Sequence, residues 1–331
     1  MPPPPVTAEY MRDWGKHTHG SPLYSELVEV VVEDPELLRV MNRIEHLPPP
    51  NLMFGAVQYL LMDGKDPALA RHYRSMVEDP LPPHGVGPKF RSFVLAHEEE
   101  IVEIGNTRYT QTNECRRCVA LLPMVMMAAF RVFHLIDVGT SAGLNLGLDR
   151  YGYRYNDEEQ RPGRPMLEAE SKGVDPIFAD IEILSRTGLD LNPLDCADNR
   201  ARRWLDALIW PEHVERRARL RSALEMVSNL DIEMISGNAL ETLPGALDRL
   251  PAGEPAVVMS SFTLNQFDAA ERDRLESIVS AARTARPVHR VSMGEALDKA
   301  DDWARLVVDD GGGVTVVGQA HPHGEWIELC R

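Results

Sequence analysis

A loop of small residues that follows a short apolar segment carries the clearest chemical signal in this chain. The segment Leu135–Val138, which is apolar except for Asp137, leads into Gly139–Gly143, whose residues are all small. In open α/β sheets, ligands bind beyond the carboxyl ends of strands, and small residues there allow backbone N–H groups to approach a polar group. The pattern therefore predicts a strand, a ligand-binding loop and a helix that begins near Leu144.

Two other types of site share parts of this pattern. The dinucleotide fingerprint G-x-G-x-x-G fails at two of its three glycine positions, where the chain has Ser141 and Leu144. The nucleophile elbow G-x-S-x-G is matched at every position, with Ser141 as the nucleophile and His321 or His323 as a candidate base. A hydrolase of that type needs several strands before its elbow, whereas the first 130 residues of this chain predict helices.

The N-terminal part of the chain predicts an all-helical domain over residues 1–130, because helix-start signals recur there. Ser21, Asp34 and Asp66 each precede a proline, a combination that favours an N-cap followed by a first helical turn. The segment Asn51–Met62 is apolar on nearly every side, which is typical of a fully buried helix.

From residue 131 onward, short β-branched segments alternate with helical ones, which predicts a parallel sheet covered by helices. Only His321–Glu325 separates the last two predicted strands, so we expect an antiparallel hairpin there. Within this 131–331 domain, the segment 152–180 is predicted to be an insertion that could form a lid. The predicted strands are Phe133–Val138, Gly188–Leu191, Ile232–Ser236, Ala256–Ser260, Val288–Ser292, Val314–Ala320 and Trp326–Leu329.

The loop and the acid before it also resemble the pattern (E/D)-x-G-x-G-x-G of S-adenosylmethionine-dependent methyltransferases. Asp137, Gly139 and Gly143 occupy matching positions, and Ser141 replaces the middle glycine. The resemblance implies a Rossmann-like, seven-stranded methyltransferase-type sheet with an antiparallel last strand. It also implies S-adenosylmethionine as cofactor, with Asp137 orienting the methionine amino group.

The ends of two later strands extend this resemblance. Asp190 falls where methyltransferases place an acid, and the two acceptor oxygens of a carboxylate match the two hydroxyls of a ribose. Asn238 falls where an acid usually contacts adenine, and its amide can both donate and accept. The implied cofactor-binding residues are Asp137, Gly139, Ser141, Gly143, Asn145, Asp190, Asn192, Asn238 and Ser260.

A polar cluster precedes the apolar helix that leads into the first strand. One explanation is structural, since Thr112 or Asn113 could serve only as the N-cap of that helix. The functional explanation is that the cluster closes over the glycine loop and helps to hold cofactor or acceptor. The acceptor-binding or lid residues would then be Gln111, Asn113, Arg117 and Ser261. Placement of the acceptor in line with the methyl group supplies much of this catalysis, and the candidate catalytic residues are Glu114, Asn265 and His323.

Several longer phrases together resemble a bacterial family catalogued as domain of unknown function 2332. This resemblance covers nearly the whole chain and implies a methyltransferase-like fold more directly than it implies a reaction. The phrases are Asn51–Val57, Thr110–Glu114, the glycine loop through Asn145, Asp190–Asp195, Leu208–His213 and His323–Trp326.

Composition narrows the classes of partner. The formal net charge of −16 disfavours nucleic acid, and four cysteines in 331 residues do not form a disulfide framework or a four-ligand zinc site. We therefore expect a cytoplasmic protein without membrane or metal partners. The resemblance to methyltransferases implies an enzyme that acts on a small-molecule or protein acceptor. The alternatives are a non-catalytic nucleoside-binding or interaction protein on the same fold, and a serine hydrolase that uses Ser141.

Overall fold

The structure, a computed structural model, describes residues 5–18, 20–127, 130–176, 178–294 and 303–330. The chain packs into two units. The helical unit comprises Met1–Thr112 and Asp198–Arg221, and the sheet unit comprises Asn113–Ala197 and Ser222–Arg331. This division differs from the predicted boundary at residue 130, because the helix before the first strand belongs to the sheet unit and a later segment returns to the helical unit.

None of the helices in the described ranges is both long and apolar enough to cross a membrane. The α-helices found there are α1 (Ala8–Gly15), α2 (Pro22–Glu33), α3 (Pro35–Met41), α4 (Pro49–Met62), α5 (Pro67–Ala70), α6 (Gly87–Ala96), α7 (Glu98–Thr107), α8 (Cys118–Met127), α9 (Asn199–Ala207), α10 (Val214–Val227), α11 (Ala239–Asp248) and α12 (Ala269–Ala282).

The predicted helix starts of the helical unit are confirmed. The side chains of Ser21, Asp34 and Asp66 cap α2, α3 and α5 by accepting backbone N–H groups, and a proline follows each cap. These caps satisfy amide groups that a helix cannot pair internally, which fixes where each helix begins.

Helix α4 is the buried centre of the helical unit, as its apolar sequence predicts. Twelve of its fourteen residues are buried. The side-chain amide of Gln58 on α4 donates to the carbonyl oxygens of Ala207 and Ile209, at 2.6 and 2.8 Å. These two buried hydrogen bonds and the burial of Trp204 in the same core explain why residues 198–221 belong to the helical unit.

The sheet unit contains a mixed, mostly parallel sheet of eleven described strands, so the prediction of a seven-stranded sheet is wrong. All seven predicted strands are present, and β2, β3, β4 and β9 are additional. The strands are β1 (Val132–Val138), β2 (Gly152–Tyr155), β3 (Glu158–Arg161), β4 (Met166–Gly173), β5 (Glu182–Asp190), β6 (Glu233–Ser236), β7 (Ala256–Ser261), β8 (Val288–Met293), β9 (Ala304–Asp309), β10 (Val314–Ala320) and β11 (Trp326–Leu329). Their order is β3-β2-β4-β11-β10-β9-β8-β7-β1-β5-β6.

Three of the additional strands lie in the segment that was predicted as an insertion. Strand β4 pairs in parallel with β11, and β2 pairs with both β4 and β3. The segment 152–176 thus extends the sheet, and its role as a lid stays a prediction. The last strand, β11, is antiparallel to β10 as predicted, but β4 covers its other side.

Strands β6, β5, β1, β7 and β8 are mutually parallel and form the part of the sheet that carries the glycine loop. The chain moves outward from β1 in one direction through β5 and β6, and in the other through β7 and β8. Ligands in doubly wound sheets bind at such a reversal, beyond the carboxyl ends of the strands. Val138, at the end of β1, lies opposite Leu189 and Ser260. The ends of β1, β5 and β7 therefore meet at one edge.

Candidate functional site

The glycine loop after β1 turns through three left-handed residues. Gly139, Ser141 and Gly143 have φ values of +80°, +53° and +73°. A Cβ atom on Gly139 would lie 1.9 Å from Oγ1 of Thr263, so only glycine fits there. The loop continues into a single 3-10 turn, Leu144–Gly147. The longer helix expected to begin near Leu144 is therefore absent from this place in the described structure.

All five backbone N–H groups of the loop are already hydrogen-bonded within the sheet unit. Those of Gly139 and Thr140 donate to the carbonyl oxygen of Leu189, and that of Gly143 donates to Thr140. The other two, at positions 141 and 142, donate to side chains. The expectation that these N–H groups approach a ligand is therefore wrong, and the loop lacks the donors with which a phosphate-binding loop holds its anion.

Asp190 and Asn113 brace the strained centre of the loop. Oδ2 of Asp190 accepts the N–H of Ser141 at 2.8 Å, and Oδ1 accepts the N–H of Asn192 at 2.8 Å. The Asn113 amide donates to Oγ of Ser141 at 2.9 Å and accepts the N–H of Ala142 at 3.2 Å. A serine in the left-handed region costs about 1–3 kcal/mol, and these hydrogen bonds offset that cost.

The position of Ser141 does not reproduce a nucleophile elbow. Its hydroxyl lies against the side-chain amide of Asn113, and the structure places no imidazole in hydrogen-bond contact with it among the residues described. Within residues 5–127 of the described chain, helices and loops precede β1 and no strand does. The two structural requirements of the hydrolase interpretation of Ser141 are thus both unmet.

Asp137, the acid before the loop, is buried in an unusual electrostatic environment. Its side chain is 1% exposed, and Oδ2 makes no hydrogen bond within the described part of the chain. The pKa of Asp137 is raised to about 7, chiefly by burial; the side chain of Thr140 opposes this rise, the nearby charge of Asp190 contributes to it, and the charge of Arg117 also opposes it. The carboxylate would become fully ionised if a cation bound beside it.

A buried arginine lies where β7 ends. Arg117 donates to Oγ of Ser261 at 3.3 Å and to the carbonyl oxygen of Pro322 at 3.0 Å. Its guanidinium lies 4.3 Å from the centre of the Phe262 ring, and Phe262 has a φ of +62°. Arg117 thus connects the 3-10 turn Cys115–Arg117, which precedes α8, with the end of β7 and with the turn before β11.

Glu114 and His323, two of the candidate catalytic residues, both make local hydrogen bonds. Oε1 of Glu114 accepts the N–H of Arg116, so Glu114 caps the 3-10 turn Cys115–Arg117. The cap is neither of the two residues that were expected, Thr112 and Asn113. His323 lies in the turn before β11, where its N–H donates to Nδ1 of His321. Gln111 is half-buried.

Several other predicted residues lie at different places on the sheet unit. The side chain of Asn238 is exposed and caps α11 by accepting the N–H of Leu240. Asn265 is exposed on the 3-10 turn Thr263–Gln266. Oδ1 of Asn145 accepts from Sγ of Cys118 at 3.6 Å, and Ser260 is buried at the end of β7. Their functional roles stay predictions.

Sequence analysis missed two residues that shape the loop. Thr263 fills the space beside Gly139, and the space beside Gly188 is filled by Thr140, since a Cβ on Gly188 would lie 2.6 Å from Cγ2 of Thr140. A glycine inside a strand is a signal of close backbone approach, but the predicted strand begins at Gly188, and only the longer β5 places this glycine in its interior. No local signal marks Thr263.

The fold and this loop define an α/β protein with an acid-rich candidate site at the reversal point of its parallel strands. The family described as "uncharacterized protein conserved in bacteria (DUF2332)" matches residues 8–329, and the chain belongs to that family. No curated protein matches the chain.

Proposed function

We propose that this protein is an S-adenosylmethionine-dependent methyltransferase that binds its cofactor at the glycine loop. The observation that carries the proposal is the unbonded, buried Oδ2 of Asp137. A buried carboxylate oxygen without a donor is costly, and an ammonium group would supply the missing donor and the opposite charge. The methionine part of the cofactor carries such an ammonium group.

The charges around the loop favour this ligand over a phosphate-bearing one. The loop N–H groups are all used internally, and two carboxylates are near the loop, Asp137 just before it and Asp190 at its centre. A phosphate would meet these acids without the usual backbone donors. S-adenosylmethionine has an ammonium, a sulfonium and no phosphate, so it suits the same surroundings.

Each residue of the loop region has a distinct role in this proposal. Asp137 accepts the amino group, and Gly139, Ser141 and Gly143 line the cofactor without donating to it. Each Asp190 oxygen accepts one backbone N–H and keeps a second lone pair, which can accept a ribose hydroxyl. The carbonyl oxygen of Asn238 is used by its helix cap, so its amide nitrogen is the group offered to adenine.

Orientation of the acceptor is the main catalytic task left to the protein. When bound, S-adenosylmethionine supplies a methyl group activated by its positively charged sulfur. Arg117 and Ser261 lie at the end of β7, next to the loop strand, and would position a small-molecule or protein acceptor together with Asn113. Placing two reactants in line lowers the barrier by converting a bimolecular step into a unimolecular one. Glu114, Asn265 and His323 stay candidate catalytic residues.

Isothermal titration calorimetry with S-adenosylhomocysteine tests the cofactor site. We expect binding to the unmodified protein, and Asp190→Asn should weaken it at least tenfold because the ribose loses a charged acceptor. The matched control is Asp195→Asn, which removes the same charge from an exposed acid that only caps its own turn. Absence of heat with the unmodified protein, or equal affinities for the two variants, would reject the assignment. Heat with adenosine alone would favour a nucleoside-binding protein without methyl transfer.

A further inference from the structure

A second group of reactive side chains surrounds His134, near the start of β1. The pairing of β1 with β5 shifts register between Phe133 and Leu135, so His134 occupies an irregularity in the ladder. Such bulges re-aim a side chain and are common beside active sites. Because β1 lies between β5 and β7, the imidazole can reach residues on both sides.

The two ring nitrogens of His134 contact a serine and a carboxylate. Nδ1 lies 2.7 Å from Oγ of Ser185 on β5, and Nε2 lies 2.7 Å from Oε2 of Glu254, just before β7. The carboxylate of Glu254 can only accept, so Nε2 carries a proton. In the neutral imidazole, Nδ1 must then accept the proton of the Ser185 hydroxyl. This is the order of a nucleophile, a base and an orienting acid.

The side chains of His134 and Ser185 open onto a cavity of about 600 Å³. This volume is within the range of small-molecule sites. His134 and Ser185 line it together with Arg150, Arg186, Asp231 and Arg249. Arg186 is paired with Asp149 at 2.9 Å, and Arg249 with Glu233 at 3.1 Å. Arg150 is paired with Asp149 at 3.0 Å. Because each arginine of the wall is paired with a carboxylate, the cavity favours an uncharged ligand over an anion.

We propose that Ser185, His134 and Glu254 form a second catalytic site that hydrolyses small, uncharged carboxylic esters. Oγ of Ser185 attacks the ester carbonyl while its proton passes to Nδ1 of His134, and Glu254 stabilises the resulting imidazolium. The C–O bond to the alcohol then breaks, and the alcohol leaves with that proton. Water then attacks the acyl-serine while His134 takes its proton. The carboxylic acid is released, and the proton passes from His134 to Oγ, which restores the Ser185 hydroxyl.

This site is separate from the glycine loop. His134 precedes Gly139 by five residues of an extended strand, which spans about 16 Å. None of its three residues takes part in the proposed cofactor site, so neither proposal depends on the other.

Labelling with a fluorophosphonate probe, followed by peptide mapping, tests the nucleophile in the unmodified full-length protein. We expect an adduct on Ser185 and hydrolysis of p-nitrophenyl acetate. Ser185→Ala should remove the adduct and lower the hydrolysis rate by about 100-fold or more. The matched control is Ser277→Ala, which removes an exposed serine hydroxyl that bonds only to its own helix and should leave both signals unchanged. No adduct, or an adduct on another serine such as Ser141, would overturn the proposal.

Glu254→Gln separates catalysis from a purely structural role of this cluster. The glutamine amide can donate to Nε2 of His134, which favours the tautomer with a proton on Nδ1, and that tautomer cannot accept the Ser185 proton. We expect the hydrolysis rate to fall by about 100-fold while the melting temperature stays close to that of the unmodified protein, because Glu254 is 43% exposed. An unchanged rate would refute the catalytic arrangement.

Discussion

Replacing Asp137 by asparagine should make the sheet unit more stable at alkaline pH, although it removes the buried carboxylate of a residue in the candidate site. Asparagine has nearly the same shape and cannot ionise. The folded protein would then no longer hold a buried negative charge whose Oδ2 lacks a hydrogen-bond donor among the described residues. A buried charge without such compensation is costly.

The size of this effect follows from the pKa of Asp137. Burial raises that pKa from 3.8 to about 7 in the folded state. Between these pH values the folded protein keeps a proton that the unfolded chain has released, so the free energy of unfolding falls as pH rises from about 4 to about 7. Each pKa unit corresponds to about 1.4 kcal/mol, so the full loss is on the order of 4 kcal/mol above pH 7.

Urea unfolding followed by circular dichroism at pH 4 and pH 8 measures the effect. Asp137→Asn and the unmodified protein should have similar free energies of unfolding at pH 4, and the variant should be more stable at pH 8, by up to roughly 4 kcal/mol. The matched control is Asp149→Asn, because Asp149 is also buried but is paired with Arg186. Breaking that pair should destabilise the protein by about 3–5 kcal/mol at pH 8. If Asp137→Asn were destabilised like the control, Asp137 would be a stabilising ionised group and the reasoning would fail.

Two further predictions concern the glycine loop. If an ammonium group binds to ionised Asp137, protons compete with the ligand, so the Kd of S-adenosylhomocysteine should rise by up to tenfold per pH unit below about 7. Calorimetry across pH 5–8 should find this pH dependence of Kd in the unmodified protein and not in Asp137→Asn. Equal pH dependence in the two proteins would contradict the assignment. Gly139→Ala should destabilise the protein by at least about 2 kcal/mol more than Gly143→Ala, because the new Cβ would lie 1.9 Å from Thr263 in the first case and 3.6 Å from its nearest neighbour in the second. Thermal unfolding measures this difference, and Thr263→Ala in the Gly139→Ala background should recover part of it; equal destabilisation by the two alanines would show that the contact with Thr263 is not limiting.

The part of the fold that sequence analysis predicted correctly depends on interactions between near neighbours. The caps at Ser21, Asp34 and Asp66 bond to amides two or three residues away. Six of the seven predicted strands contain β-branched residues, so their own composition marks them; Gly188–Leu191 is the exception.

Three of the four strands that were missed, β2, β3 and β4, depend on their surroundings. The sequence of β3, Glu158–Arg161, consists of charged and polar residues that are mostly exposed. It becomes a strand because β2 offers it hydrogen-bonding partners. Strand β2 in turn pairs with β4, and β4 pairs with β11, which is more than 150 residues further along the chain. The composition of a segment alone cannot predict pairing between strands that are so far apart in the sequence.

The sequence by itself determined the family, the mixed α/β class, the helix starts and the position of the glycine loop, because each rests on residue types at short spacing. Only the tertiary structure decided which polar groups of the loop are already hydrogen-bonded. The contacts to the centre of the loop come from residues such as Asn113 and Asp190, which are 28 and 49 residues from Ser141. The same holds for His134, whose partners are 51 and 120 residues away. Chemistry at both places depends on which distant side chains the folded sheet brings within hydrogen-bond distance.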